Sequence, residues 1–272
     1  MRGILAAAHS VFVTAIFLFV VAANAETTNG LSTAELDGRA LAEKILAQRP
    51  VENFTKTGVL QIRDGNDNRF EIPIVCKTVV TVSLASTNLI VPDWQTIYQA
   101  SLTNKTEYLR VIHTTSLTNI YSYSTNASDA VPVLGDIPLL GHLFASHQVP
   151  RPALTTPFAG SDFWLGDLGL EFLHWPEQKI LKKEFHRQCA CMVLESTNPQ
   201  PTPDGYSRVV SWIDEESLGI VEAYAYDASG RKLKNFYPKD FQKVNGQYQV
   251  QSLIMDNLQT GSRSRLEFDL KQ

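Results

Sequence analysis

The last third of the chain alternates apolar and polar residues with a period of two, and this alternation limits the possible folds most strongly. Successive side chains of a β-strand point to opposite faces, so the pattern predicts strands with one buried face. Recognisable turns such as Asn245-Gly246 separate several of these segments. The predicted strands span residues 179–187, 191–195, 206–214, 219–227, 232–236, 241–244, 248–257 and 262–270. A meander of this length twists and curls, which favours a barrel or half-barrel.

The first half of the chain also contains strand patterns, preceded by one helix. Residues 32–48 have helical spacing, with Ser32 or Thr33 as the N-cap, and Pro50 follows the end. Its single apolar stripe predicts packing against the sheet. Further strands are predicted at residues 57–63, 69–75, 79–84, 108–114 and 119–124, whereas 94–100 fits either a strand or a helix.

The amino terminus has the pattern of a secretory signal peptide. Arg2 is basic, residues 11–22 are apolar, and an A-x-A site ends at Ala25. The apolar run is shorter than the roughly 20 residues that a bilayer-spanning helix needs, so cleavage is favoured over a membrane anchor. We therefore expect an exported protein that keeps no transmembrane segment after cleavage.

Aromatic residues crowd into residues 157–178. Each large ring buries on the order of 150–250 Å², so this stretch needs either a packed core or an apolar ligand as its cover. The pattern alone leaves both possibilities open. If a ligand is bound, the candidate lipid-binding residues are Trp94, Phe163, Trp164, Phe172 and Trp175.

The segment before this stretch, residues 130–157, is rich in proline and cannot lie inside a sheet. It carries more apolar side chains than a solvated loop normally does. We interpret it as an apolar loop insertion that acts as a lid. The candidate lid residues are Leu139, Leu140, Leu143 and Phe144.

The three cysteines are Cys76, Cys189 and Cys191. An exported protein can form disulfides, and two cysteines two residues apart on one strand bridge poorly. A disulfide from Cys76 to Cys189 or Cys191 is therefore one prediction, and three unpaired thiols are the alternative. The C-x-C pair lacks the partners of a zinc site.

The sequence contains none of the common catalytic motifs G-x-S-x-G, H-E-x-x-H or a phosphate-binding loop. Asp162, Asp167 and Glu171 could form a pair of catalytic carboxylates, but Ser161-Asp162 before an apolar run is more simply interpreted as a helix N-cap. We predict no enzymatic activity, no cofactor and no metal site. The net charge of −4, without a basic run, also argues against nucleic acid as a partner.

The block Phe158-Ala-Gly-Ser-Asp-Phe-Trp-Leu-Gly-Asp-Leu168, with the strands that follow it, resembles the outer-membrane lipoprotein-sorting proteins of the LolA-like superfamily, in a little-characterised branch. The similarity runs from about Phe54 to the end of the chain. The matching residues, which are structural in that family, are Phe158, Gly160, Ser161, Asp162, Phe163, Asp167 and Leu168.

This resemblance implies a mainly β (α+β) fold: a strongly curved antiparallel half-barrel with a few helices on its concave side, formed by residues 26–272 as one domain. It also implies a periplasmic carrier or sensor that binds the acyl chains of lipids or lipoproteins, with inner- and outer-membrane envelope proteins as further partners. Residues 131–144 separately resemble a short segment of secretins. The alternative function is therefore an interaction module of a cell-envelope assembly, which docks through a sheet edge or this apolar loop.

Overall fold

The computed structural model describes residues 31–50, 52–80, 94–113, 118–125, 151–244 and 247–269. The predicted signal peptide, the four lid residues and the secretin-like segment lie outside these ranges. The described residues belong to one compact unit, Leu31–Gln272. No helix among them is long and apolar enough to cross a membrane.

Fourteen strands make up most of the described residues. They are β1 (Phe54–Arg63), β2 (Arg69–Val80), β3 (Trp94–Ser101), β4 (Thr106–His113), β5 (Ile120–Ser124), β6 (Glu177–His186), β7 (Cys189–Thr197), β8 (Arg208–Asp214), β9 (Ile220–Tyr226), β10 (Lys232–Pro238), β11 (Phe241–Val244), β12 (Gln247–Val250), β13 (Ser252–Asn257) and β14 (Arg263–Phe268). Residues 94–100, which the sequence left ambiguous, are therefore in a strand.

Twelve of the strands form one curved antiparallel sheet that does not close. Its order is β5-β4-β3-β2-β1-β14-β13-β10-β9-β8-β7-β6, so β5 and β6 are its edges. The pairing of β1 with β14, in which Gly58 lies opposite Phe268, joins the amino-terminal strands to the carboxy-terminal ones. The predicted fold class, a curved and mainly β half-barrel with few helices, is confirmed.

The predicted strand at residues 248–257 is wrong in detail. It is two strands, β12 and β13, which are separated at Gln251. β12 pairs only with β11, and this hairpin forms a second, two-stranded sheet. At the break, Gln251 donates its N–H to the Asp240 carbonyl at 2.7 Å, while its own carbonyl accepts the Phe268 N–H of β14 at 2.9 Å, so the chain passes from one sheet to the other at this residue.

Helix α1 (Thr33–Leu46) begins as predicted, with Ser32 as its N-cap. The Glu35 carboxylate accepts the Ser32 backbone N–H at 2.7 Å and the Ser32 hydroxyl at 2.8 Å, and these bonds lower the pKa of Glu35. The helix lies against β6, where a Cβ at Gly38 would come within 2.6 Å of the Gln178 backbone. Glycine at this position therefore permits the close approach of helix and strand.

Residues 151–175 are the described part of the connection from β5 to β6 and consist mainly of short helical turns. These are 3₁₀ turns at Arg151–Thr155, Phe158–Gly160 and Glu171–His174, together with the one-turn helix α2 (Leu165–Leu168). This connecting segment and α1 cover the same face of the sheet, which we call the inner face.

The inner face is filled by two apolar clusters. In the first, Phe158, Phe163 and Leu165 of the connecting segment are at most 1% exposed and pack on β1–β5, β13 and β14. In the second, α1 and Phe172 pack on β7–β9, and Phe236 contacts both clusters. Burying each large apolar side chain contributes on the order of 1.5–3 kcal/mol, so the connecting segment is part of the core.

The predicted disulfide between Cys76 and Cys189 or Cys191 is not formed, and all three thiols are free. Cys76 lies on β2 and the other two lie on β7, and six strands of the sheet separate β2 from β7. A disulfide needs Cα atoms within about 7 Å, which this separation along the sheet rules out. Burial also raises the pKa of the Cys76 thiol to about 12.

Candidate functional site

A cavity of about 420 Å³ lies between the connecting segment and the loop from β7 to β8. Its aromatic walls come from Trp164, Phe172, Trp175 and Tyr206. Its acidic and imidazole side chains in the described chain are Asp167, Glu171 and His174. This combination of apolar walls and a few polar groups is typical of small-molecule sites.

Trp164 reaches the cavity because it begins helix α2. Its backbone N–H donates to Asp167 Oδ2 at 2.8 Å, and the Leu165 N–H donates to the Thr156 carbonyl at 3.0 Å. The indole stacks on the Tyr206 ring, with the two centroids 4.5 Å apart. Hydrogen bonds therefore fix the backbone at Trp164, and the stacking on Tyr206 fixes the orientation of its ring.

A buried lysine lies beneath this aromatic pair. The Lys234 ammonium on β10 is 3.6 Å from the centroid of the Trp164 ring, 2.6 Å from the Asp162 carbonyl oxygen and 3.4 Å from Asp167 Oδ2. Burial lowers the pKa of Lys234, and the Asp167 carboxylate opposes that effect. Because a buried ammonium needs such partners, this cluster ties α2 to the sheet.

Gln178, on β6, positions the other two aromatic walls. Its side-chain N–H groups donate to the carbonyls of Phe172 and Trp175, each at 2.9 Å. Its side-chain oxygen accepts the Ser196 hydroxyl of β7 at 2.7 Å. The last turn of the connecting segment is thereby fixed to the edge of the sheet.

Glu171 belongs to a second buried polar group. Its Oε2 accepts the Tyr121 hydroxyl at 3.1 Å, and the Asn119 side chain donates to the Gly169 carbonyl at 2.6 Å. Burial, reinforced by Glu171, raises the pKa of Tyr121 well above its usual value. A Cβ at Gly169 would overlap the Tyr121 hydroxyl, so the chain requires glycine there.

Ser161 and Asp162 do not form a helix N-cap, so that interpretation is wrong. Trp164 is the N-cap of α2, whereas Ser161 ends the 3₁₀ turn at Phe158–Gly160. Asp162 accepts the hydroxyls of Ser262 and Ser264 at 2.6 and 2.8 Å, and its own N–H donates to Ser264 Oγ at 2.8 Å. Asp162 therefore fastens the connecting segment to the start of β14, whereas the Ser161 hydroxyl donates to the Phe158 carbonyl within the segment.

The structure brings together three of the five candidate lipid-binding residues: Trp164, Phe172 and Trp175 line the cavity. Phe163 does not line it, because its ring is 1% exposed and packs edge-on against Phe236 at 6.5 Å. Trp94 lies on β3, where it stacks on His113 with the ring centroids 3.6 Å apart.

Tyr206 and Lys234 belong to the site, but sequence reasoning did not select them. Lys234 carries a usable signal, since it alternates with Phe236 and therefore occupies an inner-face position in β10. Tyr206 precedes β8 and has no such signal in the sequence. It stacks on Trp164 only because the connecting segment crosses the sheet at this point. Within the described chain, no group of His, Cys, Asp and Glu could hold a metal ion.

Several solved structures share this fold, an open and curved antiparallel sheet, at low sequence identity. A DUF1329 family protein from Desulfovibrio piger is 14% identical, with a TM-score of 0.64. The alignment covers 88% of this chain and 92% of that protein. A domain designated as an outer-membrane lipoprotein-sorting protein, from Vibrio parahaemolyticus, is 16% identical with a TM-score of 0.64 and coverages of 87% and 92%.

A LolA superfamily protein from Nitrosomonas europaea is 14% identical, with a TM-score of 0.54 and coverages of 88% and 93%. A family model described as "-like: Uncharacterized protein" matches residues 143–271. No curated protein matches the chain. At these identities the neighbours establish the fold, and the resemblance read from residues 158–168 is confirmed at that level.

Proposed function

We propose that this protein is an exported, periplasmic carrier or sensor that binds the acyl chains of a lipid or lipoprotein without catalysis and without a cofactor. The observation that carries the proposal is the cavity of about 420 Å³ walled by Trp164, Phe172 and Trp175. Sites of roughly 300–1,000 Å³ commonly hold small ligands. The lipoprotein-sorting designation of a structural neighbour supports the same role.

Binding would be driven by the burial of hydrocarbon, which contributes about 0.8 kcal/mol per methylene group. The inner face of the sheet is already covered by Phe158, Phe163 and Leu165, so acyl chains would enter the cavity on the far side of the connecting segment. In this arrangement Phe163 belongs to the core beneath the cavity and does not contact the ligand, and Trp94 lies outside the site.

The rest of the proposal concerns export and partners. Residues 1–25 would direct export and be removed, which leaves residues 26–272 as a single domain. Residues 131–144, including Leu139, Leu140, Leu143 and Phe144, would act as the lid. A lipid-loaded donor and an acceptor in the two membranes of the envelope would be the partners.

Native mass spectrometry of residues 26–272, purified from the periplasm, tests the proposal. We expect co-purified lipid that mild organic extraction removes. Trp164→Glu should abolish uptake of a fluorescent acyl probe, whereas Phe185→Glu, at an exposed site on β6, should leave it unchanged. Deletion of residues 131–144 should weaken uptake. A lipid-free protein that takes up no probe would refute the proposal.

A second candidate function is an interaction module. The observation in its favour is the edge strand β6, where Phe185 is 75% exposed and Leu181 is 45% exposed. An open edge can pair with a strand of another protein. A lipid-free mass together with a stable protein complex that Phe185→Glu dissolves would favour this module over the carrier.

A further inference from the structure

The loop from β7 to β8, residues 198–206, forms one wall of the cavity and differs in character from the connecting segment on the other side. Besides Tyr206, the loop residues that line the cavity are uncharged: Asn198, Pro199, Gln200, Thr202 and Gly205. Asp204, the charged residue of this loop, is exposed and does not line the cavity. The connecting segment therefore supplies most of the aromatic rings, and the β7–β8 loop supplies neutral polar groups.

Hydrogen bonds within the β7–β8 loop fix its backbone. The Asn198 side chain donates to the Tyr206 carbonyl and accepts the Gln200 N–H, each at 3.0 Å. The Gly205 N–H donates to the Thr202 carbonyl at 3.0 Å, and a Cβ at Gly205 would come within 2.3 Å of Thr202 Oγ1. Three prolines restrict the backbone further. A loop fixed in this way loses little conformational entropy when it binds a ligand.

Two side chains of this loop are available to a ligand. The Gln200 amide and the Thr202 hydroxyl line the cavity, and neither makes a hydrogen bond within the part of the chain that the structure describes. A glutamine amide can donate and accept, and so can a hydroxyl. Together they can bind a carbonyl or hydroxyl group of an occupant without adding any charge to the site.

The carboxylates on the opposite wall already have partners in the protein. Asp167 Oδ2 lies 3.4 Å from the Lys234 ammonium, and Glu171 Oε2 accepts the Tyr121 hydroxyl at 3.1 Å. Among the described residues that line the cavity, none is lysine or arginine. An ionised headgroup would lose its water without gaining a free counter-ion, and burying an unpaired charge is costly. The cavity therefore favours an occupant whose polar group is uncharged.

We propose that the β7–β8 loop binds the uncharged headgroup of an acyl ligand and so selects neutral lipids over ionised ones. This inference rests on the proposed lipid-binding function and specifies the ligand class for the same cavity. The Gln200 amide donates to an ester or amide carbonyl of the headgroup, the Thr202 hydroxyl bonds to a neighbouring polar atom, and the hydrocarbon packs on Trp164 and Trp175. Acylglycerols and N-acylated peptides share this chemistry.

Four probes with the same ten-carbon chain test the inference, each used below its micelle concentration at pH 7.5. Two are neutral, 1-decanoylglycerol and N-decanoylglycinamide, and two are charged, decanoate and decylamine. Quenching of tryptophan fluorescence in the mature protein, with a thermal-shift assay beside it, measures the dissociation constants. We expect each neutral probe to bind at least about tenfold more tightly than either charged probe. The tighter of the two neutral probes distinguishes an acylglycerol from an N-acylated peptide.

The double variant Gln200→Met, Thr202→Val removes the polar groups of the loop and nearly keeps the side-chain shapes. Because neither side chain forms a hydrogen bond in the described chain, the variant should fold, and thermal denaturation without ligand checks this. Its affinity for the neutral probes should fall by about tenfold, whereas its affinity for the charged probes should not change. Asp204→Asn, at an exposed position of the same loop, is the control and should behave as the wild type.

Each other result refutes a specific statement. Equal affinity for the four probes, or tighter binding of a charged probe, would overturn the selection of an uncharged headgroup; a preference for decanoate would indicate His174 as a partner for anions. Unchanged affinity of the double variant, or an equal loss for all probes, would overturn the role of the loop. All of these results would leave the lipid-binding function supported. Failure of every probe to bind would refute the proposed function itself.

Discussion

The Lys234 ammonium lies 3.6 Å from the centroid of the Trp164 indole ring. One residue comes from the centre of strand β10 and the other from the start of helix α2, so this contact joins the sheet to its covering segment. Trp164 is also a wall of the candidate site. The geometry of the cavity therefore depends on a buried charge in the sheet.

Lys234→Met should destabilise the protein strongly. The substitution leaves the Asp167 carboxylate buried without its cation, and removing one partner of a buried ion pair costs about 3–5 kcal/mol. The free energy of unfolding from urea titration measures the loss. Lys239→Met, at an exposed position, is the control. A variant as stable as the wild type would show that the ion pair does not hold α2 in place.

Gly169→Ala should lower stability by about 1–3 kcal/mol, because the new methyl group would overlap the buried Tyr121 hydroxyl. Tyr121 has little freedom to move away, since its hydroxyl is bonded to Glu171 at 3.1 Å. Gly166→Ala is the matched control, because its Cβ would approach no atom closer than 3.4 Å. Thermal denaturation compares the two variants, and equal melting temperatures would contradict the packing argument.

His113 should make the protein less stable in acid. Burial, with His174 nearby, lowers the pKa of His113 from 6.5 to about 3 in the folded state. Below pH 6.5 the unfolded chain therefore binds a proton that the folded chain does not, and stability falls as the pH drops towards 3 by up to about 1.4 kcal/mol per unit. Above pH 6.5 His113 is neutral in both states and adds no pH dependence to the stability.

The measurement is the free energy of unfolding between pH 4.5 and 8 for the wild type and for His113→Phe. Phenylalanine can keep the stacking on Trp94 and cannot titrate. We expect the variant to have the shallower slope below pH 6.5. Parallel curves would mean that His113 binds a proton as readily in the folded protein as in the unfolded chain, which contradicts the lowered pKa.

The three cysteines should remain reduced even in the proposed periplasmic location. The structure leaves them free, and titration of the denatured protein with a thiol reagent, without a reductant, should find three thiols. In the folded protein Cys76 should be unreactive at neutral pH, since it is buried and its pKa is about 12. A count of one thiol would restore the disulfide predicted from the sequence.

Local patterns were sufficient to predict most of the elements. The Ser32 capping box and the two-residue periodicity of β6–β10 depend on neighbours in sequence, so the helix start and the strands follow from the residues themselves. The break between β12 and β13 was missed because it depends on a hydrogen bond from the Gln251 N–H to the Asp240 carbonyl across the β11–β12 hairpin, which the two-residue alternation does not reveal.

In the candidate site, too, some residues could be predicted from local sequence and others could not. The aromatic stretch identified Trp164, Phe172 and Trp175, because a cluster of rings is visible in the sequence. The sequence could not separate them from Phe163, since burial of a ring depends on what the sheet places opposite it. It also could not assign Asp162, whose partners Ser262 and Ser264 lie about a hundred residues further along.

The amino-acid sequence by itself therefore determined a curved antiparallel sheet, one capped helix and an aromatic connecting segment, because short-range periodicity and turn chemistry specify these elements. Only the tertiary structure decided that Phe158 and Phe163 fill the inner face while Trp164 turns towards a cavity. It also placed Lys234 beneath Trp164 and separated Cys76 from Cys191 by six intervening strands. Long-range packing sets these contacts, and no local pattern contains it.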